Sequence, residues 1–561
     1  MTSPTTRPAY EVLAHDIKAA GVEAVFGLMS DDTAMFVSTL DGMGVRFYGA
    51  RHENNAVSMA EGYAAATGRT GIAILGRGPA TANGMHGAVY ALRTGSPVLL
   101  IYGEAPWGPK PLNDFGPDNK HFNASGVLGA AGLRTFVATG ADSARHTLAH
   151  AMAAARHGAV ALLLPTNVQQ AMVSGDIGAR PTIAVPSPQP QPARAAAIQS
   201  AVQLLAHSRS PLIVAGVGAH RAGAREALIA LADKIGAALA TTARGKDMFR
   251  GHPLDAGILG SFSTAKGRRL IEQSDCVLSF GAGLNQRTTS FGHALPAGVP
   301  LIQVDATREN IGRWYPADVA IAADARLCAE QLLAALPERE ASAKPLRDPE
   351  LLQWLARFDM ANDFQAEHTP RTVDARSAAL VLNALLPPDR NVVYDSGNFL
   401  QMLPYFQVQS PQHWKMANDF ASIGMGFGAA MGFARGAAER PTVFFVGDGS
   451  FLMNLGELET VAREDIPLII VVMNDCAYGA ELHFLKLRDM PVAKSVFPDI
   501  DYAPIAAGFG FETATVRSLD DLKALAPLLA QPSGPILIDC KITASVAAPF
   551  LSESPGHGAR K

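Results

Sequence analysis

Residues 441–481 read PTVFFVGDGSFLMNLGELETVAREDIPLIIVVMNDCAYGAE. Residues 443–446 form an apolar run that stops in Gly447-Asp448-Gly449. A helix-like stretch follows over 455–462, and a second apolar run, 468–473, stops in Asn474-Asp475. Continuous Val/Ile/Leu/Phe runs of this length suit strands covered on both faces, as in parallel sheets layered with helices. A strand–helix–strand unit of this size is a right-handed crossover, which brings both strand ends to one edge of the sheet. Asp448 and Asn474-Asp475 then converge, and they offer the hard oxygens that Mg²⁺ takes together with water and phosphate oxygens. Gly447 and Gly449 let the backbone approach closely, and the amides near Gly449-Ser450 can receive an anion. No GxxxxGK[ST] segment occurs, so a nucleotide P-loop is not supported. A Gly-Asp-Gly turn is common in itself; the polar tip of the second strand is what gives it weight.

The same alternation of apolar runs and helical patterns extends through the chain. It recurs at 71–76 and 96–103, at 210–218, 276–283 and 299–305, and at 390–397. Two shifts in composition interrupt it. Residues 180–192, RPTIAVPSPQPQP, are crowded with prolines and read as an extended linker; residues 337–350, PEREASAKPLRDPE, are charged and proline-broken. The expectation is three α/β domains, each a doubly wound and mostly parallel sheet, over about 1–180, 195–336 and 365–545. The 561 residues carry 47 Lys+Arg against 51 Asp+Glu, a net charge of −4, with 48% hydrophobic and 17% charged residues. That balance argues against disorder and against nucleic acid as a partner. Low charge with much Ala and Gly fits extensive buried surface, including surface between subunits. Cys276, Cys328, Cys476 and Cys540 form no CxxC pair, so neither a disulfide framework nor a structural zinc site is expected. The first residues lack the pattern of a signal peptide, and no apolar run reaches the roughly 20 residues of a membrane helix. A soluble, cytoplasmic protein is expected.

Gly-Asp-Gly followed at this distance by an Asn-led doublet resembles the cofactor-binding motif of the thiamine-diphosphate (ThDP) enzymes, in the family of pyruvate decarboxylase, acetolactate synthase and benzaldehyde lyase. The resemblance implies that Asp448, Asp475 (27 residues on) and the carbonyl of Ala477 hold Mg²⁺. That family usually shows Asn at the position of Asp475, and the change adds a negative charge. Arg51-His52-Glu53 followed by AVSMAEGYAAATGRTG is similar to the segment carrying the family's activating glutamate. Glu53 would hydrogen-bond the cofactor's aminopyrimidine and favour the imino tautomer that generates the ylide nucleophile. The stretch 420–426, FASIGMG, resembles the segment that bends the cofactor, with Ile423 as wedge and the Ala421 carbonyl as acceptor. Asn398 and Phe399, in DSGNF at 395–399, look like part of the diphosphate cradle, alongside Gly449, Ser450, Tyr478 and Gly479. Family members build each active site from the first and third domains of different subunits, which implies a homodimer at least and a homotetramer commonly.

Three further residues bear on the reaction. Asp31 falls where pyruvate-decarboxylase-like members carry a catalytic Asp, Glu481 matches their catalytic Glu in Tyr478-Gly479-Ala480-Glu481, and His121 lies in a loop that supplies a polar residue to the site. Each also has a plainer reading; Asp31 and Asp32 precede a helix-like run and would make good N-caps. Met29 stands where benzaldehyde lyase has its His, and the Pro-Gly-Gly of acetolactate synthase is missing, so no subgroup's pattern is fully met. The strand-tip segments 281–289 and 304–310 lie where some members bind FAD or an acyl-CoA nucleotide, and FAD stays unassigned. The resemblance implies a ThDP- and Mg²⁺-dependent decarboxylase, lyase or carboligase acting on 2-oxo acids or 2-hydroxy ketones through an enamine. Alternatives are an acetolactate-synthase-like acyl transferase, a 2-hydroxyacyl-CoA lyase, or a catalytically silent homologue that only binds the cofactor.

Overall fold

A computed structural model describes residues 6–106, 119–174, 177–184, 189–337 and 347–553. The apolar runs become strands of three six-stranded sheets in which every neighbouring pair is parallel. The first sheet runs, edge to edge, Arg46–Gly49, Ala24–Gly27, Gly71–Leu75, Val98–Glu104, Val160–Pro165, Arg134–Val137. The third runs Trp414–Met416, Asn391–Tyr394, Thr442–Gly447, Leu468–Asn474, Ile536–Lys541, Glu512–Val516. Taken in chain order within each domain, both follow second, first, third, fourth, sixth, fifth. The middle sheet differs: Asp255–Ile258, Ala238–Thr241, Pro211–Ala215, Cys276–Phe280, Leu301–Asp305, Val319–Ala322. Winding reverses between the first and third strands of each outer sheet, and the crevice beyond the strand ends at such a reversal is where open α/β sheets take ligands. A separate antiparallel pair joins Thr6–Pro8 to Met172–Ser174.

The Ala-rich helix singled out in the sequence spans Glu53–Thr67. His52 caps it by accepting from the Asn54 amide at 3.1 Å, and Gly68 ends it at φ 69°. It is buried on nearly every side because it lies between its own sheet and the helix Met425–Gly436 of the third domain. The two helices touch backbone to backbone. A Cβ on Gly62 would meet the Ala429 carbonyl oxygen at 2.0 Å, and one on Gly432 would meet the Met59 carbonyl oxygen at 1.9 Å. One apolar core therefore continues from Phe26 and Met59 through Phe427 and Met431 to Phe444 and Ile470, welding the outer domains together.

Residues 185–188 of the proline-rich linker and 338–346 of the charged segment lie outside the described residues, and a helix begins at the end of the second. The helix Pro349–Arg357 starts there, with Pro349 in its first turn and Asp348 accepting from the Glu350 amide at 2.9 Å. Asp31 and Asp32 are not N-caps. Helix Ala34–Gly42 is preceded by Thr33 with no side-chain cap bond, and both aspartates turn instead to cations from other loops. Among the described residues no helix is long and apolar enough to cross a membrane.

Candidate functional site

The tips of the third sheet surround a cleft of about 550 Å³. Strand Thr442–Gly447 pairs with Leu468–Asn474 in a register that sets Gly447 opposite Met473, so Asp448 and Asp475 leave the sheet at the same level. Asp448 opens the short helix Asp448–Met453, where the helix end favours its charge. Asn474 turns away from the cleft. Its Nδ2 donates to Asp539 Oδ1 at 2.9 Å, and its Oδ1 accepts from the Cys476 amide at 3.2 Å, shaping a turn with Cys476 at φ 55°. Asp475 is the member of the doublet that lines the cleft, together with Ala477. A Cβ at 479 would sit 2.3 Å from Asp475 Oδ2 and 2.9 Å from Asn398 Cβ, so any side chain there would push Asp475 out of place.

Asp448 is buried and Asp475 half-buried, and desolvation pushes both carboxyls above the ordinary range, with the charge of Asp475 adding to the rise at Asp448. Asp448 Oδ2 has no hydrogen-bond partner among the described residues. Two carboxylates facing each other in a largely desolvated cleft repel, and a divalent ion would relieve both the repulsion and the orphaned oxygen. Among the described residues no three His, Cys, Asp or Glu side chains gather as a metal group. The donors present are thus two carboxylates and a backbone carbonyl, which fits a hard cation that keeps positions for water and phosphate oxygens.

The opposite wall comes from 396–399 and 421–423. Asp395, fully buried at the end of its strand, ties the walls together: it accepts from the Ser396 amide at 2.8 Å, the Gly424 amide at 2.9 Å and the Ser450 hydroxyl. Burial pushes its carboxyl up to about 6. Ala421 sits at φ 51° and Gly424 at φ 96°, so the 421–424 turn is held in an uncommon shape by these bonds. Asn398 lines the cleft, but its amide clamps the C-terminal segment, donating to the Val546 carbonyl at 2.9 Å and accepting from the Ala548 amide at 2.8 Å. Phe399, Ala421, Ile423, Gly449, Ser450, Tyr478, Gly479 and Glu481 also line it, with Glu481 exposed in the first turn of helix Gly479–Lys486.

The other three expected residues stand elsewhere in the chain. Glu53, 7% exposed, lies at the first sheet's tips, where Asn83 Nδ2 donates to it at 3.3 Å; it does not line the third domain's cleft. Asp31 is exposed and paired with Lys120, which holds its carboxyl below the ordinary range. Beside it Asp32 pairs with Arg77 at 2.8 Å and Lys120 at 3.2 Å. His121 is exposed in the loop following Lys120, whose carbonyl packs over Gly78. Sequence reasoning missed Asn454 and Glu457. Asn454 donates to the carbonyls of Gly424 (3.1 Å) and Ser450 (3.2 Å) and accepts from Asn55 at 2.9 Å; Glu457 accepts from the amides of Arg51 (3.0 Å) and His52 (3.1 Å). Together they fix the start of the Glu53 helix to the loops at Gly424 and Ser450.

Three family models match, and they cover most of the chain: the thiamine pyrophosphate enzyme N-terminal TPP-binding domain over 7–119, the central domain over 198–332, and the C-terminal TPP-binding domain over 395–540. The chain belongs to the thiamine-pyrophosphate enzyme family. It is therefore a ThDP-dependent enzyme of the kind that breaks and makes C–C bonds beside a carbonyl. Similar proteins include a probable 2-ketoarginine decarboxylase of Pseudomonas aeruginosa, 28% identical over 93% of this chain and 92% of the relative. A probable acetolactate synthase large subunit of Methanocaldococcus jannaschii is 26% identical over 96% and 93%. A sulfoacetaldehyde acetyltransferase of Rhodobacter capsulatus is 28% identical over 97% and 96%. Within this family member the FAD expectation finds no support. At those tips Gly281 is spent on close packing against Gly218 and Ala219, and Asp305 accepts from Thr307 and Asn310 of its own loop.

Proposed function

We propose that the chain decarboxylates a 2-oxo acid, or cleaves and ligates 2-hydroxy ketones, with ThDP anchored through Mg²⁺ in the cleft of the third domain. The observation that carries this is the Asp448–Asp475 pair at the strand reversal of a ThDP-family domain, with Asp448 Oδ2 free of any hydrogen bond among the described residues. Bound ThDP supplies an electron sink for the charge that develops beside the substrate carbonyl. The chain's own groups do the rest. Asp448, Asp475 and the Ala477 carbonyl hold the cation, Gly449 and Ser450 receive the diphosphate, and Ile423 and Ala421 set the cofactor's bend. Glu53 holds a proton at the aminopyrimidine, and Glu481 and His121 exchange protons with substrate. Asp31, kept ionised by Lys120, suits orientation more than proton donation.

Because Glu53 does not line its own chain's cleft, it is assigned to the cleft of a second copy, in a homodimer or homotetramer. The exposed Met29 and Met35 near the first domain's tips, and Phe420, Leu452 and Met453 near the cleft, support such an interface. Four free cysteines, three of them buried, agree with a cytoplasmic setting.

Acyl transfer to a second carbonyl, as in an acetolactate-synthase-like acyl transferase, is the second reading, favoured by the synthase and acetyltransferase names among the relatives. Incubation with a panel of 2-oxo acids and acyloins, with and without a second 2-oxo acid as acceptor, separates the two. Aldehydes, with carbon dioxide from an oxo acid or without it from an acyloin, mark the first reading, and an acyl group joined to the 2-oxo acid acceptor marks the second. Asp448→Ala should abolish Mg²⁺-dependent ThDP retention; unchanged retention would remove the metal assignment.

A further inference from the structure

The chain that follows the strand Ile536–Lys541 runs to the cofactor cleft. Asn398 and Gln401, both buried, donate to the Val546 carbonyl at 2.9 and 3.0 Å, and Asn398 accepts from the Ala548 amide at 2.8 Å. So anchored, the segment turns into the short helix Phe550–Glu553, which packs against the helix Gly479–Lys486. Phe550, half-buried, thereby lines the cofactor cleft beside the helix that carries Glu481.

The far end of this segment is held by the middle domain. Arg287 donates to the Phe550 carbonyl at 3.0 Å, and its guanidinium lies over the Phe550 ring at 5.4 Å and the Phe291 ring at 5.6 Å. Phe262 meets the Phe550 ring edge-on at 5.9 Å, and the Ser261 hydroxyl donates to Glu553. A cation over the ring face and an aromatic edge both follow the ring's charge distribution, so they fix its orientation as well as its place. Ser261 and Phe262 follow the strand Asp255–Ile258, and Arg287 follows Cys276–Phe280. Two tips of the middle sheet, one of them in the 281–289 segment considered for FAD, thus hold a ring in the third domain's cleft. The loop that does so is costly to build. Leu284, Ser290 and Phe291 sit at φ 47°, 48° and 56°, where a side chain crowds the backbone. Such strain persists only where the surroundings enforce it, and it gathers at functional sites.

We propose that Phe550 is the specificity-determining residue of the cofactor cleft, an apolar stop that limits the side chain of the 2-oxo acid or 2-hydroxy ketone, and that Arg287 is its positioning residue. This deepens the function proposed above and rests on it. A cleft of about 550 Å³ has to admit both cofactor and substrate, so a phenyl ring in its wall takes space that a longer substrate would use. A hydrophobic wall discriminates by about 10–200-fold for each methylene that fits or fails to fit.

The test uses the full chain with ThDP and Mg²⁺ and a series of straight-chain 2-oxo acids and their acyloins, from pyruvate upward. In F550A the kcat/KM of the longer members relative to the shortest should rise at least about tenfold, and in F550W it should fall. R287M keeps the length of the side chain but loses the cation and the donor; it should shift the ratio in the direction of F550A by a smaller factor. ThDP affinity should stay near wild type in all three. A merely structural role would lower every member of the series alike. Unchanged ratios in both Phe550 variants overturn the specificity assignment, and a uniform loss in R287M overturns the positioning one. F550W also reports without turnover: ThDP with Mg²⁺ should change the emission of the added indole, measured against wild type under the same titration. No such change puts position 550 outside the cleft and overturns the proposal. A wild type that binds ThDP but turns over none of the series refutes the proposed function instead, and the F550W emission then decides the placement of Phe550 by itself.

Discussion

The first and third domains share one strand order yet equip their strand tips in opposite ways. At the tips of the first, carboxylates are matched to cations: Asp32 with Arg77 and Lys120, Asp31 with Lys120. At the tips of the third, Asp448 and Asp475 face each other, both destabilised by burial. Topology makes the crevice in both domains; whether charge there is balanced or left open decides what each crevice can do. A balanced rim holds its own shape, whereas an unbalanced one leaves two carboxylates whose repulsion a cation would relieve. The middle domain, wound differently, lends Val217, Arg221 and Arg244 to a separate cleft between the three domains.

The sharpest way to break this comparison is Glu53→Gln. If the first domain's rim delivers a proton-holding carboxylate to a cofactor, the variant should lose about 10²–10⁴-fold in kcat, the usual worth of a positioned acid–base group. Mg²⁺-dependent ThDP binding and the melting temperature should stay near wild type, because the cation is held by the other domain. Near-normal turnover in the variant would reduce Glu53 to a structural residue and the two rims to a mere difference in packing.

The rims should also respond to charge removal with opposite signs. Asp32→Asn leaves Arg77 at a site where the side chains of Asp32 and Arg77 are only 5% and 19% exposed. Breaking such a pair is expected to cost about 2–3 kcal/mol, below the full buried-pair penalty because Arg77 keeps some solvent. Asp448→Asn removes one of two repelling carboxylates and gives the pair a donor, so the cofactor-free protein should gain about 1 kcal/mol while losing Mg²⁺-dependent ThDP binding. Urea unfolding of the two cofactor-free variants against wild type measures both; shifts of the same sign would refute the balanced-versus-open distinction.

How much of this could be read beforehand depended on distance along the chain. The strands at 71–75, 443–446 and 468–473 were legible because burial on both faces writes itself as a continuous apolar run. Asp448, Asp475 and Tyr478 were legible as a group because each follows directly from a strand end. Strand order was not, since it depends on how crossover helices pack. Asn55, Asn454 and Glu457 gave no local signal at all: Asn55 and Asn454 are 399 positions apart and meet only through the helix crossing at Gly62 and Gly432. Asp31 and Asp32 show the converse, a plainer reading that the fold sets aside. Locally they look like helix caps, but Arg77 and Lys120, remote in sequence, offer stronger partners. Asp395 stood in a stretch already noticed, yet its role in tying three loops together required the fold.

The smallest effect concerns what stands behind the open rim. Asn474, turned from the cleft, is held by Asp539, which pairs with Lys541 at 2.9 Å; Lys541 in turn reaches Asp499 at 3.0 Å, and Arg517 pairs with Asp499 at 3.0 Å. Balanced charge thus recurs here one layer below the unbalanced pair, and it supports the turn carrying Asp475. The hydrogen bond from Arg517, followed by those from Lys541, holds the Asp499 carboxyl down at about 2, against an unfolded value near 3.9. A depressed carboxyl contributes stability above its unfolded value and loses it as pH falls through the folded one. Asp499→Asn should therefore cost less than about 1 kcal/mol at pH 7, because Asp499 is over a third exposed and solvent screens the pair. The difference from wild type should shrink between pH 4 and pH 2, read by denaturant unfolding at each pH. A deficit that persists unchanged at pH 2 would mean that Asp499 acts through packing and not through its charge.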